Sequence, residues 1–166
     1  VPILREGELD IISHSPEQTR RYGIRLGRLL RAGDVICLSG DMGAGKTVFS
    51  TGIGEGWGSQ KKVTSPTYNL VHQHNRANDD TLLYHLDCYR MQSIDEVDTI
   101  GFDDMLDSKG IIVIEWAERI EDALPADHLW IELRVVEENR RNFILEATGQ
   151  HYQKLVDDFK NAIFGI

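Results

Sequence analysis

The sequence predicts a three-layer α/β fold around a mixed parallel and antiparallel central sheet. Three observations lead there. Two short runs, 35–38 and 111–114, are apolar without alternation, the pattern of strands buried on both faces of a parallel sheet. Two other pairs of strand-like segments are joined by short polar connectors, which suit antiparallel neighbours. Stretches of helical periodicity lie around and between them.

Taken in order, the first helix opens at Ser15, Pro16 and Gln18. Serine can cap, proline is pre-set for the first helical position, and glutamine three residues on completes a capping box. Tyr22, Leu26, Leu29 and Leu30 recur at helical spacing, and Gly33 can end the helix. The buried run 35–38 follows, then a glycine-rich loop, then a helix from Lys46 to about Glu55. Gly52 and Gly54 weaken that helix by roughly 1 kcal/mol each relative to alanine. Segments 67–74 and 81–89 read as a strand pair across the turn-rich connector 75–80. Ser93 and Glu96 mark a second capping box on a short helix that Gly101 closes. After the second buried run come a hairpin, 129–136 and 142–147, turning at 137–141, and a tail helix over 150–164. The tail sets Tyr152, Leu155, Val156, Phe159 and Ile163 on one face.

A length of 166 residues fits one domain, 1–166, with a real core. Apolar residues make up 41%, which argues against wholesale disorder. No run approaches the roughly 18 apolar residues that span a bilayer, and the first ten residues carry early charges rather than a signal sequence. Cys37 and Cys88 sit in apolar runs without metal-ligand spacing, as buried thiols of a reducing compartment do. A cytoplasmic protein with no membrane association is expected. The net charge is −9, and residues 91–128 account for it, with eleven carboxylates against Lys109 and Arg119. That segment is either a solvated face or a docking face for a basic protein; an autonomous nucleic-acid binder would show a basic face instead.

The chemistry concentrates at Gly40, Asp41, Met42, Gly43, Ala44, Gly45, Lys46 and Thr47, which fit G-x-x-x-x-G-K-[ST] at every fixed position. Glycines let backbone N–H groups converge on phosphate oxygens, and the N-terminus of the following helix adds its positive dipole. The lysine reaches the β- and γ-phosphates and the threonine hydroxyl ligates Mg²⁺. The nucleotide-binding set runs from Gly40 to Val48, with a nucleotide and Mg²⁺ as ligands, on a P-loop NTPase fold. Such a site also needs a carboxylate at a neighbouring strand end. Glu115, ending the run 111–114, and Asp87, in Tyr84-His85-Leu86-Asp87-Cys88-Tyr89-Arg90, are the candidates. Asp41 lies inside the loop, badly placed for direct phosphate contact and better suited to water, metal or a lysine. Thr64, Ser65, Pro66 and Thr67 form either a plain turn or a switch loop that senses the γ-phosphate.

Together, GDMGAGKT, VTSPTYNLV, YHLDCYR and IEWAER, in that order and spacing, resemble the TsaE (YjeE) family of small bacterial P-loop ATPases needed for threonylcarbamoyladenosine modification of tRNA. The resemblance runs from about Ser15 to Pro125. It implies Lys46 on the phosphates, Thr47 and Glu115 at the metal, Asp87 as the aspartate of a D-x-Y-R strand motif, and residues 64–67 as the switch. It places Glu17, at the start of the first helix, near the base, and matches Trp116 to the aromatic that follows the glutamate. It also implies the TsaB–TsaD pair as partner, with ATP hydrolysis resetting that complex and tRNA met only indirectly. Met42, Cys88 and Ala117 depart from the usual leucine, apolar residue and proline of the family, and none of these removes a phosphate-binding group. Two other readings remain: a small-molecule P-loop kinase, though no arginine-rich lid is visible, and a nucleotide switch that binds without hydrolysing.

Overall fold

The computed structural model describes residues 8–62 and 70–165. Its strands are β1 (Glu8–Ser13), β2 (Val35–Ser39), β3 (Val71–His74), β4 (Leu83–Asp87), β5 (Ile111–Glu115), β6 (Leu129–Glu137) and β7 (Arg140–Ala147). The helices are α1 (Pro16–Leu29), α2 (Lys46–Trp57), α3 (Glu96–Thr99), α4 (Phe102–Asp107) and α5 (Gln150–Phe164), with a 3₁₀ segment over Ala117–Ala123. The strands form one sheet in the order β1-β7-β6-β2-β5-β4-β3. β2 runs parallel to both β5 and β6, and β4 parallel to β5. β1–β7, β6–β7 and β3–β4 pair antiparallel. The mixed α/β sheet expected from the sequence is thus the one observed.

The two apolar runs lie side by side at the centre and are buried at every position. Alternate residues feed two cores. Ile36, Leu38, Ile111 and Val113 pack under α1, α2 and α5 with Leu26, Phe49, Ile53 and Phe159. Val35, Cys37, Ile112 and Ile114 pack on the other face with Phe102, Met105 and Ile120. The three layers follow from this alternation, because a strand buried on both faces needs helices on both. Both thiols are buried, and burial pushes Cys88 up to about 12 and Cys37 further still, so neither is a nucleophile.

The Ser15 cap forms as expected, its Oγ accepting from Gln18 N at 3.0 Å, but Gln18 Oε1 accepts from His14 N at 2.7 Å, one residue before the N–H that a capping box engages. Gly33 does not end α1. The helix stops at Leu29 with Leu30 extended, and Gly33 serves a following turn in which Arg31 N donates to Asp34 Oδ2. Gly101 separates α3 from α4 in the left-handed region, so it closes one helix and opens the next. Ser93 Oγ accepts from Asp95 N and Glu96 Oε1 from Gln92 N, a looser arrangement than a capping box. The edge strand β1 has no counterpart in the sequence reading; it pairs with β7, and Tyr22 of α1 donates its hydroxyl to Ile12 O at 2.9 Å. The strand expected over 67–74 is described from Val71 onward, and Thr64, Ser65, Pro66 and Thr67 lie outside the described residues.

Glycines of α1 and α2 have a structural use that propensity does not show. A Cβ on Gly52 would stand 2.2 Å from Arg20 O, one on Gly23 2.3 Å from Phe49 O, and one on Gly27 2.1 Å from Ile53 O. The two helices touch backbone to backbone, which holds α2 and the loop before it against α1.

Candidate functional site

The loop after β2 enters α2 through Gly45, which adopts φ 104° as the residue before the first helical turn. Gly40 (φ 133°) leaves no room for a side chain, since a Cβ there would stand 2.3 Å from Leu133 O. These positions need glycine for geometry, and the loop they form leads directly into the first turn of α2.

Four site residues, Lys46, Thr47, Asp87 and Glu115, converge at the carboxyl ends of β2, β4 and β5, the crevice where open α/β sheets bind ligands. Asp87 and Glu115 are directly paired across β4 and β5. Thr47 Oγ1 donates to Glu115 Oε1 at 2.9 Å, and Glu115 Oε2 lies 2.5 Å from His85 Nε2. The Glu115 side chain is 3% exposed and His85 fully buried. Lys46 Nζ donates to the carbonyls of Gly40 and of Asp41, the latter at 2.8 Å, and stands 4.3 Å from the centroid of the Trp116 ring. Burial holds the Lys46 ammonium below its ordinary range, while Glu115, Glu118, Asp41 and Asp87 oppose that shift. Trp116 keeps this position at φ 58°, left-handed backbone that a tryptophan rarely adopts, and meets the Tyr89 ring at 4.9 Å with a tilt of 48°.

A cavity of about 350 Å³ opens here, lined by Met42, Lys46, Thr47, Asp87, Glu115 and Trp116 among others. A smaller one of about 110 Å³ lies beyond the loop, between the start of α1 and the β6–β7 turn, lined by Ser15, Pro16, Thr19, Val48, Asn139 and Arg141 among others. Arg141 bonds the loop itself, Nη2 donating to Gly43 O at 3.2 Å. Thus Met42, Gly43, Gly45, Lys46, Thr47, Val48, Asp87 and Glu115 are brought together. Asp41 and Glu17 are exposed and line neither cavity; Asp41 meets Lys46 through its backbone carbonyl. The sequence reading missed His85 and Arg141. His85 carries a signal in retrospect, since it sits two residues from Asp87 on a strand and so shares its face. Arg141 is nearly a hundred residues from the loop and has no local signal.

The donor set fits Mg²⁺. Thr47 Oγ1 and Glu115 Oε1 are hard oxygen donors side by side at the glycine-rich loop, and the cavity beside them has room for further oxygen donors.

A family model described as threonylcarbamoyl adenosine biosynthesis protein TsaE matches residues 13–143. The chain belongs to the TsaE family. Among curated TsaE proteins, that of Bacillus subtilis (strain 168) is 36% identical over 145 residues, covering 87% of this chain and 89% of its own. The TsaE of Treponema pallidum is 40% identical over 131 residues, covering 78% and 94%. The crystal structure of Bacillus subtilis YdiB superposes with a TM-score of 0.79 at 28% identity, over 97% of this chain and 98% of that one. The TsaE match spans the phosphate loop, both strand-end carboxylates and the first residues of β7. Among the described residues no helix is long and apolar enough to cross a membrane.

Proposed function

We propose that this protein binds and hydrolyses Mg-ATP as the ATPase subunit of tRNA threonylcarbamoyladenosine synthesis, acting in the cytoplasm on the TsaB–TsaD pair. The observation that carries the ATPase reading is the meeting of Lys46, Thr47, Glu115 and Asp87 at one strand-end crevice beside the loop. On binding, Lys46 exchanges the Gly40 and Asp41 carbonyls for the β- and γ-phosphate oxygens. The loop amides and the α2 N-terminus take the remaining phosphate charge. Thr47 and Glu115 hold the Mg²⁺, which when bound neutralises charge on the phosphates. Both Glu115 oxygens are engaged, so it holds rather than attacks. Asp87 borders the cavity from the adjoining strand and orients the water. Attack on the γ-phosphorus breaks its bond to the bridging oxygen and releases ADP and phosphate. The smaller cavity takes the base, with Glu17 following Pro16, which lines it, at the start of α1. Residues 64–67 serve as the segment that senses the γ-phosphate.

The test is phosphate release from Mg-ATP by the chain alone and with the TsaB–TsaD pair. Release that rises with the pair and vanishes in Lys46→Ala is expected. Phosphorylated small molecule in place of free phosphate would favour a kinase. Tight binding with no release, partners present, would favour a switch.

A further inference from the structure

We infer that His85 is a positioning residue for Glu115, fixing the carboxylate so that one chosen oxygen faces Thr47 and the metal site. The inference rests on the ATPase reading and adds a residue to it. On β4, His85 lies two positions before Asp87, whose partner on β5 is Glu115. It is therefore the diagonal neighbour of Glu115 on the same sheet face, within reach of a long side chain. An ionised carboxylate has only lone pairs, so Nε2 carries the hydrogen and donates across the 2.5 Å to Oε2. Thr47 takes Oε1 from the opposite side.

The position argues for a purpose. Leu83 and Val113 lie around His85 on this face, and all are at most 1% exposed. An imidazole there costs free energy unless it is bonded, where an aliphatic side chain would not. Glu115 ends its strand on a rotatable side chain, so one hydrogen bond leaves its carboxylate plane free to turn. The Thr47 hydroxyl belongs to the proposed metal set, so its bond to Oε1 is the one exchanged when the site loads. The His85 bond is outside that set and persists, holding Oε2 back and Oε1 forward. Partners that orient a metal ligand from behind in this way typically contribute roughly 10–100-fold in metal affinity.

The experiment compares wild type, His85→Leu, His85→Asn and His85→Gln by calorimetric titration with ATP, in Mg²⁺ and in EDTA, with thermal unfolding of each apo protein. Glutamine can place an amide N–H where Nε2 stands; asparagine is too short to do so. The expected result is that Leu and Asn lose about tenfold or more of the Mg²⁺-dependent gain in ATP affinity. Affinity in EDTA stays unchanged, and Gln recovers most of the loss. Should His85→Leu fail to fold, Asn against Gln decides the matter. Undiminished Mg²⁺ dependence in Asn, or a parallel fall in both affinities that tracks the melting temperature, overturns the assignment. A wild type that binds ATP no better with Mg²⁺ overturns the ATPase reading itself, and the role of His85 with it.

Discussion

The Lys46 ammonium is tied to the loop that carries it, through two carbonyls and the face of Trp116. In the proposed ATP complex, phosphate draws it away from all three, and the ring loses a cation at 4.3 Å. Saturating ATP is therefore expected to change the intrinsic fluorescence, and Trp116→Phe should abolish the change while Trp57 and Trp130 still emit. A signal that survives in Trp116→Phe would place the lysine elsewhere. A second residue-scale expectation concerns His74, buried and held down to about 4 by desolvation, with His85, His72 and Lys61 adding in the same direction. Its folded value lies below its unfolded one near 6.5, so the unfolded chain takes up a proton that the native state refuses. Stability is untouched above that unfolded value and falls as pH drops from about 6.5 to about 4. Replacing His74 by leucine should remove this limb. Its advantage over wild type in urea unfolding should grow by about 2 kcal/mol between pH 7 and pH 5. Parallel curves would show that His74 does not titrate in the unfolding equilibrium.

At the scale of elements, the α1–α2 contact decides how the phosphate loop is held. Gly27→Ala gains up to about 1 kcal/mol in helix propensity. It also drives a methyl to 2.1 Å from Ile53 O, backbone that cannot swing aside. Overpacking of this kind costs about 1–3 kcal/mol, so net destabilisation is expected in urea unfolding. A stabilised variant would mean that the helices can separate freely. The same contact shows where sequence reasoning stops. Runs 35–38 and 111–114, the hairpin and the tail helix were legible because each announces itself within a few residues, through period or through turn chemistry. The loop was legible because its chemistry fixes residue types at fixed spacing. Gly52 looked only like a cost, because its benefit lies in Arg20, thirty-two residues away. Gly33 looked like a helix end because any glycine after a periodic stretch does, yet Leu30 breaks the helix first by turning extended. The edge strand β1, ELDIIS, shows neither an unbroken apolar run nor a sustained alternation, which Ile11-Ile12 interrupts. Trp116 was visible as an aromatic, but its place over Lys46 depends on φ 58°, which sequence does not report.

At the scale of the whole molecule, charge decides what the protein can touch directly. The net charge is −9, and α3, α4 and the 3₁₀ segment, which belong to the acidic stretch 91–128, cover one face of the sheet. Basic side chains gather around one cavity of about 340 Å³, where Arg28, Arg31, Arg76 and Lys154 meet. Acids answer much of that patch: Lys154 pairs with Asp158 at 2.9 Å and Arg76 with Asp79 at 2.6 Å, while His151 rests on Asp34 at 2.6 Å. Affinity for a nucleic-acid backbone comes from cations that replace condensed counterions, and a cation already paired with a carboxylate contributes little of that. Labelled tRNA titrated with the chain alone at about 0.15 M salt should therefore show no binding tighter than the weak end of non-specific association, about 10⁻⁴ M. Retention of tRNA should appear only once the TsaB–TsaD pair is added. Micromolar binding by the isolated chain, falling steeply with salt, would require Arg28 and Arg31 to work as a phosphate-binding pair. It would make the protein a direct reader of the tRNA rather than an ATP-driven subunit acting on its partners.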